Sequence, residues 1–98
     1  MPVAIVTEWD VTDHDTAGYD ATVERMGVVD DPPDGCLVHT AGFSDEGTWR
    51  VFDVWESQEH CDRFMRDRLM PAAAELPEGS GGPPTRVSTY ELHGYFAP

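Results

Sequence analysis

Residues 36–71 read CLVHTAGFSDEGTWRVFDVWESQEHCDRFMRDRLMP. Two β-rich runs, Cys36–Phe43 and Thr48–Trp55, flank Ser44–Gly47 (SDEG), a turn composition, and together predict a hairpin. Ser57 then offers a helix N-cap, and Glu59 places an anion in the first turn where the helix dipole favours it. The helix that follows carries Cys61, Phe64, Met65 and Leu69 on one side and Asp62, Arg63, Arg66 and Asp67 on the other. Pro71 ends or kinks it, or opens a second helical piece running to Leu76.

Outward from this stretch, Pro2–Trp9 (PVAIVTEW) is a first strand with Val3, Ile5, Thr7 and Trp9 on one face. Asp10–Asp15 is rich in capping residues, and a helix after it runs to about Met26, where Gly27 supplies the stop. Consecutive prolines make Val28–Gly35 a loop. On the C-terminal side Pro77–Arg86 is a loop, Val87–Phe96 a fourth strand and Ala97–Pro98 a tail. The order β-α-β-β-α-β is the ferredoxin-like split motif: an α+β domain with a four-stranded antiparallel sheet and helices on one face. The 98 residues form one domain, 1–98.

Pairing the hairpin across Ser44–Gly47 puts Val38, Thr40, Val51, Asp53 and Trp55 on one face. Leu37, His39, Ala41, Arg50, Phe52 and Val54 take the other. Both faces carry large apolar side chains, whereas one side of such a sheet is normally polar. An apolar patch of that size marks an interface. The expected partner is therefore a second copy, docked sheet to sheet.

Nineteen acidic against six basic residues give a net charge of −13. That surface repels phosphate backbones and anionic lipid, which argues against nucleic-acid and membrane partners. No apolar run nears the length of a membrane helix, and Met1–Trp9 lacks the pattern of a signal peptide, so the expected location is cytoplasmic. Cys36 and Cys61 are expected as free, buried thiols.

Several runs within this framework, HTAGF, WRVFDVWES, RFMRDRLMPA and YELHGY, resemble small bacterial proteins of the dimeric α/β-barrel superfamily related to antibiotic-biosynthesis monooxygenases. The resemblance implies a dimeric α/β barrel with a pocket between sheet and helices. It also implies one of the superfamily's chemistries: cofactor-free oxygenation of polycyclic phenols, polyketide cyclisation, haem degradation or plain ligand binding. Haem-degrading members carry a histidine on the second helix where this chain has Phe64 and Met65, a departure that argues against haem, and no cofactor is expected. Trp55-Glu56-Ser57 resembles the Phe-Glu-Ser run of a plant cyclase whose following tyrosine corresponds to Phe64.

Asp53 and His39 are the candidate catalytic bases. A carboxylate between Val51 and Trp55 is costly unless paired, so Asp53 is either bridged to Arg63, Arg66 or Arg68 or is a base raised by desolvation. His39, mid-strand among apolar neighbours, is either a hydrogen-bonded interface residue or a proton acceptor working near neutral pH. Trp49, Trp55 and Phe64 are candidate walls for a flat aromatic ligand. Tyr19 is a candidate orienting hydroxyl, and His93 a further candidate contact. The adjacent His60, Cys61 and Asp62 diverge around a helix and make no metal site, and none is expected elsewhere. Two functions follow: a cofactor-independent monooxygenase or cyclase acting on an aromatic or polyketide-like molecule, or a non-catalytic dimer that is structural or binds a small ligand. An open cavity holding an ionisable group favours the first. A fully paired Asp53 with aromatic rings filling the space favours the second.

Overall fold

The computed structural model describes residues 2–10, 16–75 and 84–96. The Asp/Thr-rich run at 11–15, most of the Pro77–Arg86 loop and the Ala97–Pro98 tail lie outside them. Strand β1 (Val3–Asp10) is followed by helix α1 (Ala17–Met26), then strands β2 (Cys36–Phe43) and β3 (Thr48–Trp55). Helix α2 (Gln58–Phe64) runs through a π-helical turn, Met65–Leu69, into α3 (Met70–Ala74), and β4 (Arg86–Glu91) closes the sheet. The sheet order is β2-β3-β1-β4, antiparallel throughout, which is the ferredoxin-like arrangement expected from the element order.

Local chemistry accounts for the boundaries. Gly27 sits at φ 67° and donates its N–H to the carbonyls of Val23 and Glu24, stopping α1 where a left-handed residue is needed. Ser57 Oγ accepts the His60 N–H at 3.2 Å, the expected N-cap of α2. Pro71 stands within the first two positions of α3, so the second helical piece is realised. Proline has no N–H to offer a preceding carbonyl, and the backbone before it widens to π geometry, the Met70 N–H bonding Met65 O. That widening changes the phase of the helix, and Met65, expected on the packed side, is 41% exposed. Strand β4 is shorter than the expected Val87–Phe96, because Glu91 pairs with Val3, the first residue of β1.

The hairpin differs from expectation in one decisive respect. Ser44 N–H bonds Thr48 O at 2.9 Å and Gly47 N–H bonds Ser44 O at 2.9 Å, so the loop is the three residues Asp45-Glu46-Gly47. Gly47, at φ 85°, takes the left-handed position of such a loop. Phe43 therefore pairs with Trp49, Ala41 with Val51 and His39 with Asp53. A one-residue slip in register moves a whole strand to the other face. His39 and Asp53, expected back to back, share one face. A bulge between Cys36 and Val38 then brings Cys36 opposite Trp55.

That face is the one the helices cover. Its core is Val3, Trp55 and Cys61, with Ile5, Cys36 and Phe64 packed against them. Trp55 is 1% exposed, and its ring centroid lies 5.2 Å from that of Phe64. The opposite face sets Ala4 between Val54 and Tyr90, Val6 between Phe52 and Ser88, and Glu8 between Arg50 and Arg86; Ala4 and Val54 are themselves buried. At one end it carries a charge ladder: Arg50 bonds Glu8 at 2.8 Å, and Arg86 bonds Asp10 at 2.6 Å while lying 3.5 Å from Glu8.

Gly35 ties the loop to the start of α2. Its carbonyl accepts the Glu56 N–H at 2.8 Å, its φ is 82°, and a Cβ there would overlap the His60 ring. The Gly35→Ala variant is therefore expected to lose about 2–4 kcal/mol, the sum of left-handed strain and overpacking. Urea denaturation measures the loss. Adding His60→Ala should return the steric share, and a loss below about 0.5 kcal/mol would contradict the close approach.

Candidate functional site

Three side chains from three elements meet on the helix side of the sheet, toward its β2 edge. Asp53, mid-strand in β3, lies between Ile5 of β1 and His39 of β2 in the ladder. Asp53 Oδ1 lies 2.6 Å from His39 Nδ1, and His39 Nε2 lies 2.5 Å from the Tyr19 hydroxyl of α1. The side chain of Asp53 is 19% exposed and that of His39 43%. With His39 neutral, Nδ1–H donates to the carboxylate and the Tyr19 hydroxyl donates to Nε2. With His39 protonated, both nitrogens donate.

The electrostatics favour a relay that can hold or pass one proton. The hydrogen bond to Asp53 holds His39 above its ordinary value of 6.5, against the opposing effect of burial. Burial first, then the Asp53 and Asp20 charges, raises the Tyr19 phenol, which therefore stays protonated at neutral pH. The two thiols are driven the same way. Burial, then Asp53, raises Cys36, and burial with Asp53, Asp62 and Cys36 nearby pushes Cys61 up to about 11. Neither is a thiolate nucleophile at neutral pH.

Aromatic rings surround the relay. The Tyr19 and His39 rings are nearly parallel (9°) with centroids 6.0 Å apart, and Tyr19 meets Trp49 edge-on at 5.2 Å. Phe43 tilts against Trp49 at 4.9 Å. A groove of about 320 Å³ opens on the α1 side of Tyr19, between Val23, Gly27 and Val29. Another of about 260 Å³ lies at the hairpin end, against Phe43, Arg50 and Phe52.

Of the residues singled out in the sequence, Tyr19, His39, Asp53 and Trp49 come together. Trp55 and Phe64 lie in the adjoining core rather than along either groove. His93 is exposed beyond β4, which β1 separates from β3. The arginines expected to bridge Asp53 are engaged elsewhere: Arg63 with Glu59, Arg66 with Asp67, and Arg68 with the Met26 carbonyl and Asp31. The reason is the register, which supplies His39 as the nearer partner. Phe43 was not anticipated; its odd position in β2, in step with His39, is the signal that would have found it. Trp55 Nε1 is buried without a hydrogen-bond partner among the described residues.

Among the described residues no helix is long and apolar enough to cross a membrane. No protein-family model matches the chain, and no curated protein matches it. Solved structures do. The chain superposes on Rv0793 from Mycobacterium tuberculosis with a TM-score of 0.69 at 18% identity, covering 99% of this chain and 100% of that one. A provisionally named antibiotic biosynthesis monooxygenase from Caulobacter crescentus gives 0.69 at 19%, covering 93% and 89%. A variant of SnoaB, a cofactor-independent oxygenase from Streptomyces nogalater, gives 0.65 at 15%, covering 96% and 95%. Identities this low establish the architecture, and the chain has the ferredoxin-like α+β fold of the antibiotic-biosynthesis-monooxygenase-like proteins.

Proposed function

We propose that this chain is a cofactor-independent monooxygenase or cyclase acting on an aromatic or polyketide-like small molecule. The observation that carries the reading is the chain of contacts Tyr19–His39–Asp53 on the helix side of the sheet. A carboxylate that fixes one imidazole nitrogen leaves the other to take a proton from a phenol, an enol or an activated methylene. Nearby aromatic rings suit a flat substrate. In the oxygenase case a substrate methylene becomes a carbonyl, one atom of O2 entering the product and the other leaving as water. In the cyclase case the same deprotonated carbon attacks a carbonyl within the molecule. SnoaB is described as a cofactor-independent oxygenase, which supports the first.

A homodimer joined through the sheet face opposite the helices belongs to this reading. Val6, Phe52 and Tyr90 are the apolar side chains a second copy would cover, and Tyr90 is 49% exposed in the single chain. A cytoplasmic location fits the free thiols of Cys36 and Cys61. Light scattering at micromolar concentration is expected to give twice the chain mass; a monomer would contradict the pairing.

A second reading, a non-catalytic dimer, has a specific observation in its favour. Asp53 is paired, and Tyr19, Trp49, Trp55 and Phe64 occupy the space between sheet and helices. Oxygen uptake separates the two. With a hydroxynaphthalene or a reduced polycyclic ketone as substrate, the enzyme reading expects protein-dependent O2 consumption or a cyclised product without added metal or flavin. Binding without turnover across such a panel supports the second.

A further inference from the structure

We propose that Tyr19 is an internal ligand: its phenol, on Nε2 of His39 and edge-on to Trp49, occupies the subsite of an incoming phenolic or enolic substrate and must leave for one to bind. The inference rests on reading this site as an aromatic-binding one, and it changes the role of Tyr19 from an orienting hydroxyl to a displaceable plug.

The geometry supplies each part. A substrate that gives a proton to His39 needs a hydroxyl on Nε2, since Nδ1 is held by Asp53 at 2.6 Å. Tyr19 already places one there, at 2.5 Å. A flat aromatic substrate needs a ring against the indole of Trp49, and the Tyr19 ring takes that wall at 5.2 Å. Ring, hydroxyl and acceptor are thus arranged as a bound phenol would be, with the protein's own side chain as the phenol. An open volume lies beside Tyr19 along α1.

The helix carrying the plug is built to move. None of its residues is buried, and Gly18 directly precedes Tyr19. Besides the Tyr19 contacts, its ties among the described residues include an exposed ion pair from Arg25 to Glu75 and a bond from Arg68 to the Met26 carbonyl at 2.6 Å. The α2 side differs, with Cys61 buried against Val3 and Trp55. A shift of α1 away from the sheet frees Nε2 and the Trp49 edge together, and the groove beside Val23 gives the displaced ring somewhere to go.

A plug in competition with ligand lowers apparent affinity by the fraction of molecules that are open. Tyr19→Phe keeps the ring and removes only the hydroxyl that holds it, so naphthol should bind this variant several-fold to about tenfold more tightly than the wild type. Titration followed by the nitrogen resonances of His39 reads affinity and place together. In the wild type, saturation should also move the Tyr19 ring-carbon resonance as its hydroxyl leaves His39. Adding His39→Ala to Tyr19→Phe should abolish the gain. Equal or weaker binding by Tyr19→Phe, with the His39 resonances still responding, overturns the plug and leaves the aromatic site standing, with Tyr19 holding the ligand. No binding by either protein overturns the aromatic site and the plug with it.

Discussion

Replacing Trp55 by alanine is expected to lower the stability of the fold by about 3–5 kcal/mol. Trp55 is the largest fully buried side chain among the described residues, 1% exposed, and joins β3 to α2 by packing against Phe64, Val3 and Cys61. Its loss opens a cavity in the cluster where sheet and second helix share a core, and neighbours relax only partly into such a space. Domains of this size have about 5–15 kcal/mol in total, so the variant stands near the limit of folding. Each kcal/mol shifts the midpoint by about 4–8 °C, and thermal unfolding by circular dichroism reads it directly. Trp55→Phe should behave differently. Phenylalanine fills less of the space but also removes the buried Nε1–H that has no acceptor among the described residues, an orphan costing about 1–3 kcal/mol. The two effects oppose, and the net change is expected within about 1.5 kcal/mol. If the alanine variant lost under 1 kcal/mol, Trp55 would not be the keystone described above.

The second large effect concerns proton transfer. On a substrate that the wild type turns over, His39→Ala is expected to reduce kcat by about 10²- to 10⁴-fold, the range of a positioned general base. The pH dependence carries a sign. Only neutral His39 accepts a proton, so activity rises with pH through its titration. Asp53 holds that titration above the ordinary 6.5. Asp53→Asn removes the hydrogen-bonded charge, so the rising limb should move to lower pH while kcat falls, because the imidazole loses its anchor. Stability follows the opposite course. The protonated pair stabilises the fold fully below pH 6.5, and that contribution fades as pH rises through the raised value. With His39 43% exposed, solvent screening keeps the contribution small. A pH profile that Asp53→Asn left unmoved would take Asp53 out of the site.

Much of this architecture was legible in the residues. Gly27 as a helix stop, Ser57 as a cap and the β-α-β-β-α-β order follow from local chemistry, and each stands in the structure. Tyr19, Trp49, His39 and Asp53 were each identifiable as residues of interest. Their meeting was not, because it depends on one residue of hairpin register. Composition announces a turn at Ser44–Gly47, but whether three or four residues close it is decided by Gly47 taking a positive φ and Ser44 pairing with Thr48. The arginine partners expected for Asp53 failed for the same reason, since an in-register histidine was closer than any helix arginine. The π turn before Pro71 was hidden too. A missing N–H foretells some disturbance, while its form, and hence the exposure of Met65, depends on how the following turn docks. Sequence patterns thus located the parts, and long-range pairing decided which of them touch.

The central claim is that His39 and Asp53 lie on one covered face in direct contact. Titration of the His39 ring resonances by NMR, in the wild type and in Asp53→Asn, tests it most directly. The account predicts a wild-type midpoint above the ordinary histidine value that falls clearly in the variant. A midpoint at the ordinary value, the same in both proteins, would contradict it.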